Sequence, residues 1–179
     1  MDIVEKALRI MLLAHGQQVR KTDGSPYIIH PMMVAKKLAR LGFSDETIAA
    51  ALVHDVLEDT DVTEQQLRQE LGDKVVDIIL PLSEDKKLEW ETRKKKYIND
   101  VNNASVETKA VSIADKIHNL ESIIETHKTM GSDIWPKFNR GKEQKMWFER
   151  EMLKAFQESW EHPMIAEYEK LIKQVEKLD

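Results

Sequence analysis

Ile48-Ala49-Ala50-Ala51-Leu52-Val53-His54-Asp55-Val56-Leu57-Glu58-Asp59 is the stretch that decides how this 179-residue chain folds. The run reads as a helix that is apolar over most of its surface, and such a helix belongs in the interior. Its C-terminal half nevertheless carries His54 and the carboxylates Asp55, Glu58 and Asp59. An ionised carboxylate buried without a partner is costly enough to neutralise instead, so several together require a compensating cation. A divalent metal is the simplest one. A second polar pair, Asp115 and Asn119, stands in a similar apolar setting, Val111-Ser112-Ile113-Ala114-Asp115-Lys116-Ile117-His118-Asn119-Leu120.

Helical periodicity extends outward from this stretch in both directions. Residues 1 to about 19 carry Val4, Leu8, Met11 and Leu12 at helical spacing. Lys21-Thr22-Asp23-Gly24-Ser25-Pro26 is turn chemistry. Pro31 suits a first helical position; Val34, Leu38 and Leu41 form one stripe, and Gly42 closes that helix. Ser44 caps the apolar helix, which is expected to run unbroken to about Asp59-Thr60-Asp61. Thr63 to Gln66 fits a capping box for a short helix ending at Leu71-Gly72. Residues 73–80, 84–101, 107 to about 127, 142–160 and 163–178 read as further helices, with Gly131, Pro136 and Gly141 in the loop before the last two. No alternating strand pattern, internal repeat or Pro/Ser-rich linker interrupts them. The expected fold is all-α, a single domain over residues 1–179.

Composition agrees. Six Gly and five Pro, with 41% hydrophobic and 33% charged residues, favour helices over turn-rich β architecture. A net charge of −5 argues against a nucleic-acid partner, which would need a basic surface. Absence of Cys rules out disulfides and thiolate zinc sites and suits a reducing cytoplasm. The acidic, amphipathic N-terminal stretch does not read as a secretory signal. No apolar run approaches the roughly 20 residues needed to span a bilayer. The expectation is a cytoplasmic protein with no membrane partner; a homo-oligomer is compatible with the sequence.

Helix positions three and four apart share a face. His54 would therefore stack with Glu58, and Asp55 with Asp59, while Asp115 and Asn119 form one column and Glu121 lies away from them. The second imidazole of a metal centre is best supplied by His30, where a loop meets a helix start. His30, His54, Asp55 and Asp115 would make a mixed imidazole–carboxylate set, which suits Mn, Fe or Zn better than Ca or Mg. With an open position, such a centre lowers the pKa of a bound water. Glu58 and Asp59, one turn on, would orient that water or shuttle protons. Each residue also has an ordinary reading. His30 could be a helix-start histidine, Asp115 and Asn119 could satisfy one another in the core, and His15 and His118 could support structure. Those separate accounts must hold at once for buried acids on two helices.

The ordered set His30, His54-Asp55 and Asp115 resembles the H…HD…D pattern of the HD-domain phosphohydrolases. Four longer strings resemble the hydrolase domain of RelA/SpoT proteins and, at this chain length, the small alarmone hydrolases. They are Ala14-His15-Gly16-Gln17-Gln18-Val19-Arg20-Lys21, Gly24-Ser25-Pro26-Tyr27-Ile28-Ile29-His30-Pro31, Ala50 through Thr60, and Ala114-Asp115-Lys116-Ile117-His118-Asn119-Leu120. The likeness covers about residues 8–125, and the C-terminal helices, about 142–178, match it loosely. It implies an HD-domain helical fold and a Mn2+-dependent hydrolase that removes the 3′-pyrophosphate from ppGpp and pppGpp. In that resemblance His30, His54, Asp55 and Asp115 are the metal ligands, and Glu58 and Asp59 are the acidic pair that activates or positions water. Arg20 and Lys21 match a basic pair near the nucleotide base, and Asn119 a group beside the ribose or 3′-phosphate. Lys86, Lys87 and Arg93 resemble a basic stretch that could offset the 5′-diphosphate, or else form a solvated helix face.

Two features depart from the resembled family. Asn119-Leu120-Glu121 stands where an Arg usually follows Asn-Met or Asn-Leu, which puts the exact substrate in doubt. Met130 to Lys142 is also unlike the family pattern; Trp135, Lys137, Phe138, Arg140 and Lys142 could stack on a base and bind phosphates, or the aromatics could simply cover the core. Two other functions stay open: an HD phosphatase acting on a nucleoside monophosphate or NADPH, and a nucleotide-binding sensor without turnover. The intact Glu58-Asp59 pair argues against the sensor.

Overall fold

Helix α3 (Asp45–Val53) lies at the centre of the computed structural model, which describes residues 1–179. Ser44 starts it, its Oγ accepting from the Thr47 N–H at 3.4 Å. Ala49, Ala50, Ala51 and Val53 are fully buried. A helix apolar on every side must be enclosed, and small side chains let its neighbours come close. Helices α1 (Ile3–His15) and α2 (Ile29–Arg40) pack on it.

The expected continuous helix breaks at His54-Asp55 and resumes as the single turn α4 (Val56–Asp59). The break has a local cause. His54 Nδ1 donates to the Ala51 carbonyl at 2.8 Å, taking over an acceptor at the end of α3. The Asp55 carbonyl then accepts from both Glu58 and Asp59 N–H groups and starts α4. The His-Asp dipeptide therefore sits in a turn between two helices, aimed at a cleft.

A capping box between Thr63 and Gln66 opens α5 (Glu64–Leu71) as expected. Gly72, at φ +82°, turns the chain directly into α6 (Asp73–Ile79), a conformation that L side chains adopt only with strain. Helix α7 (Trp90–Asn103) begins six residues later than expected at 84, because Glu84 and Lys86 are drawn into a loop by hydrogen bonds to α4. Ser105 caps α8 (Val106–Met130), the longest helix, which crosses α2, α3 and α6. A 3-10 stretch, Gly131–Lys137, leads to α9 (Gly141–Ser159) and α10 (Pro163–Glu176).

The hydrophobic core is one contiguous cluster running from Ala7 to Val175, so the C-terminal helices share it with the rest. Trp135 is buried in that cluster and donates from Nε1 to the Asp179 carbonyl at 2.6 Å, while Phe138 packs against it. Of the two readings of the 130–142 segment, core cover is the one its aromatics follow. Helix α1 stops at His15 rather than about 19. A Cβ on Gly16 would lie 2.6 Å from the Leu12 carbonyl oxygen. Residues 18–27 then form a small hairpin through an antiparallel bridge between Val19 and Pro26. Helix α2 starts at Ile29, two residues before Pro31, which is tolerated there because first-turn N–H groups lack helical acceptors. No helix is long and apolar enough to cross a membrane.

Candidate metal centre

Three elements deliver the polar groups. The first turn of α2 carries His30, the α3–α4 turn carries His54 and Asp55, and the middle of α8 carries Asp115. The ligand atoms of His30, His54 and Asp115 all lie within 4.8 Å of one another. His30 Nε2 is 3.1 Å from Asp115 Oδ1, and Asp55 Oδ2 is 3.2 Å from His54 Nε2 and 3.7 Å from His30 Nε2. They converge on one wall of a cleft of about 610 Å³, within the range of small-ligand sites.

The donor set fits a divalent cation. His54 Nδ1–H is committed to the Ala51 carbonyl, so Nε2 is the nitrogen left for a cation, and that buried atom has no hydrogen-bond partner. His30 Nδ1 meets His118 Nδ1 at 2.7 Å. Burial, together with the His30 and Arg20 charges, lowers His118 to about 4, so it is neutral near pH 7 and can accept. His30 then donates from Nδ1, and its Nε2 is the nitrogen that faces the centre, 3.1 Å from Asp115 Oδ1, where a bound cation would take the place of a proton. An imidazole oriented through its other nitrogen is the usual arrangement of a metal-binding histidine.

The field at this point favours positive charge. Burial pushes His54 down, yet the Asp55 and Asp115 charges outweigh it and raise the imidazole to about 9. Burial likewise pushes both aspartates up, but His54 and His30 hold Asp55 well below the ordinary carboxylate range, and Lys116 and His30 do so for Asp115. The same two carboxylate charges would favour a divalent ion at this position.

Tyr27 and Lys116 complete the surroundings, and neither carried a role in the sequence reading. The Tyr27 hydroxyl donates to Asp55 Oδ2; burial and the Asp55 charge push its pKa up, so the phenol keeps its proton. Lys116 Nζ donates to Asp115 Oδ2 at 2.9 Å. The Tyr was visible inside the Pro-Tyr-Ile-Ile-His-Pro string and the Lys beside Asp115, but one-dimensional spacing does not reveal which carboxylate each would reach.

Glu58 and Asp59 line the same cleft. Burial and the Glu84 charge raise Glu58 above its ordinary 4.5, against the pull of Lys86. Lys86 Nζ donates to Asp59 Oδ1 at 2.7 Å and to the Glu58 carbonyl at 2.8 Å. Arg20, Lys21 and Asn119 are also at the cleft. Arg20 Nη2 donates to Asn119 Oδ1 at 3.1 Å, and Asn119 Nδ2 donates to Asp115 Oδ1 at 2.5 Å.

The other basic candidates lie elsewhere. Arg93 is paired with Glu84 at 2.9 Å and does not line the cleft. Lys87 is exposed outside it, and Arg140 borders a separate depression with Trp90 and Gln144. Their charges are drawn to nearby acids or to solvent. Glu121 lies off the cleft, 3.8 Å from Lys37, which is itself paired with Glu167 on α10.

A family model described as the HD domain matches residues 7–143. The chain belongs to the HD-domain family. HD-domain membership carries divalent-metal dependence with it, in keeping with the His30, His54 and Asp115 cluster. This HD domain is 35% identical over 123 residues to guanosine-3′,5′-bis(diphosphate) 3′-pyrophosphohydrolase of Aquifex aeolicus, a match covering 67% of this chain and 18% of that protein. It is 37% identical over 110 residues to the pyrophosphohydrolase MESH1 of Danio rerio, covering 60% and 61%. The chain thus spans less than a fifth of the first relative and about three fifths of the second. Among solved structures, lmo0812 from Listeria monocytogenes superposes with a TM-score of 0.76 at 34% identity, covering 82% of this chain and 97% of that one. A metazoan ortholog of SpoT, described as hydrolyzing ppGpp, shares the fold with a TM-score of 0.83 at 22% identity, covering 97% and 96%.

Proposed function

We propose that this HD domain is a Mn2+-dependent phosphohydrolase that removes the 3′-pyrophosphate from guanosine alarmones such as ppGpp. The observation that carries the proposal is the convergence of two imidazole nitrogens and two aspartates beside the Glu58-Asp59 pair in one cleft. His30, His54, Asp55 and Asp115 hold the ion, and their mixed donors suit Mn2+. When bound, the ion supplies Lewis acidity toward a phosphoryl oxygen and lowers the pKa of water.

The chain's own residues do the rest. Glu58 and Asp59, one turn beyond the ligands, orient the attacking water and take its proton; the raised pKa of Glu58 makes it the better proton acceptor near neutrality. Arg20 and Lys21 bind the nucleotide, with Asn119 bridging Arg20 and the Asp115 ligand. Lys86, tied to Asp59, steadies the acidic pair rather than standing free for substrate phosphates. Glu121, the departure that favoured a different nucleotide, lies off the cleft, which supports the alarmone reading. The absence of Cys supports a cytoplasmic setting for the activity.

Incubating the Mn2+-loaded protein with ppGpp should release GDP and pyrophosphate. Failure to release either would refute the substrate. Inactivity toward a broad panel, nucleoside monophosphates and NADPH included, would refute hydrolysis itself.

A further inference from the structure

Lys116 carries a buried charge that the proposed reaction does not use. Its side chain is 10% exposed and forms part of the cleft wall. A buried ammonium needs a counter-charge and acceptors for its three protons. It finds Asp115 Oδ2 at 2.9 Å and the Tyr97 hydroxyl oxygen at 3.4 Å, and it faces the rings of Tyr97 and Phe148, 4.7 and 5.3 Å from their centroids. Tyr97 can accept because its own proton has an outlet in Ser112 Oγ, 3.0 Å away. A buried ion pair is seldom better for stability than an apolar filling of equal size, and a fixed cation beside a metal site repels the metal. Its presence there calls for a function.

The two oxygens of Asp115 are divided. Oδ2 belongs to Lys116, while Oδ1 faces His30 Nε2 at 3.1 Å and accepts from Asn119. We propose that Lys116, held in place by Tyr97, is a positioning residue that occupies Asp115 Oδ2, so that this carboxylate offers the metal a single oxygen and a coordination position stays open. The inference rests on the metal reading above, and the role it gives Lys116 is exerted through Asp115, although Lys116 itself borders the cleft.

The test compares wild type, Lys116→Met, Lys116→Arg and Tyr97→Phe, each stripped of metal and titrated with Mn2+ by calorimetry. The Mn2+ electron paramagnetic resonance spectrum and the melting temperature of the metal-free protein are recorded alongside. In Lys116→Met, Mn2+ should bind as tightly as in wild type or tighter, because Oδ2 is freed. Its resonance spectrum should change, and kcat should fall about 10-fold or more with KM held within about 3-fold. Lys116→Arg should restore the wild-type spectrum. Tyr97→Phe should shift the spectrum partway, and it keeps the proposal testable if Lys116→Met does not fold. Weaker Mn2+ binding in step with a lower melting temperature would reduce Lys116 to a structural role and overturn the proposal. So would a raised KM with kcat intact, which marks a substrate contact, or identical spectra in all four proteins. If wild type binds Mn2+ but hydrolyses no alarmone, the proposed function fails while binding and spectra still decide the role of Lys116.

Discussion

Asp115 and Glu149 are both buried carboxylates, each beside a Lys and a Tyr, and they do different work. Glu149, on α9, is fully buried; Lys145 and the Tyr168 hydroxyl both donate to its carboxylate, and no cleft reaches it. Burial and the Glu149 charge push Tyr168 well up, so that phenol stays a donor. The cluster is complete in itself. Asp115 also has its Lys, but around it stand two imidazole nitrogens, one of them with no hydrogen-bond partner, facing a cleft. Buried charge alone does not mark a site. Buried donors left without partners, turned toward space, do.

The largest expected effect breaks the open cluster. His54→Ala should lose bound metal by elemental analysis and cut turnover on the order of 10³-fold or more, while the fold survives by circular dichroism. Retention of metal at wild-type stoichiometry would contradict the assignment. Next comes the closed cluster. Glu149→Ala leaves Lys145 unpaired and should cost about 3–5 kcal/mol in denaturant unfolding, with metal content unchanged. If metal content fell as well, the two clusters would not be independent.

Glu58 sharpens the comparison from the cleft side. Because its pKa is raised above 4.5, turnover that needs its carboxylate should fall as pH drops through a value above 4.5. Glu58→Gln should remove that limb of the pH–rate profile along with about 10²-fold of rate. The folded chain also holds a proton that the unfolded chain has released, so Glu58 costs stability as pH rises through this window. The Gln variant should accordingly melt slightly higher at neutral pH. An unchanged acid limb would assign the proton transfer elsewhere. The smallest effect is expected at Arg140, off the cleft: Arg140→Ala should leave kcat/KM within about 2-fold, and a larger loss would mean that the 130–142 segment reaches the substrate after all.

Much of this is legible in the sequence. Helical spacing and caps marked the helices, and Ser44, Thr63 with Gln66, and Gly72 all act at the boundaries they announced. The break at His54-Asp55 was not legible. The competing hydrogen bond to Ala51 comes from a side chain that a helical pattern treats as one more helix position. Basic residues were the poorest guide. Lys86, Arg93 and Arg140 read alike in a charge-rich sequence, yet one is tied to Asp59, one to Glu84 and one borders another depression. Long charged side chains go where an acid lies within reach, and that is a property of neighbours brought together by packing.

The sequence by itself determined that the chain is helical, that α3 and much of α8 lie inside, and that acids and imidazoles sit where apolar residues would be cheaper. Those conclusions rest on periodicity and on the cost of burying charge, both local. Only the tertiary structure decided which nitrogen of each histidine is free, which oxygen of Asp115 is taken by Lys116, and which cations remain at the cleft. Each of those depends on atoms brought within about 3 Å from separate helices. No spacing along a single chain carries that information.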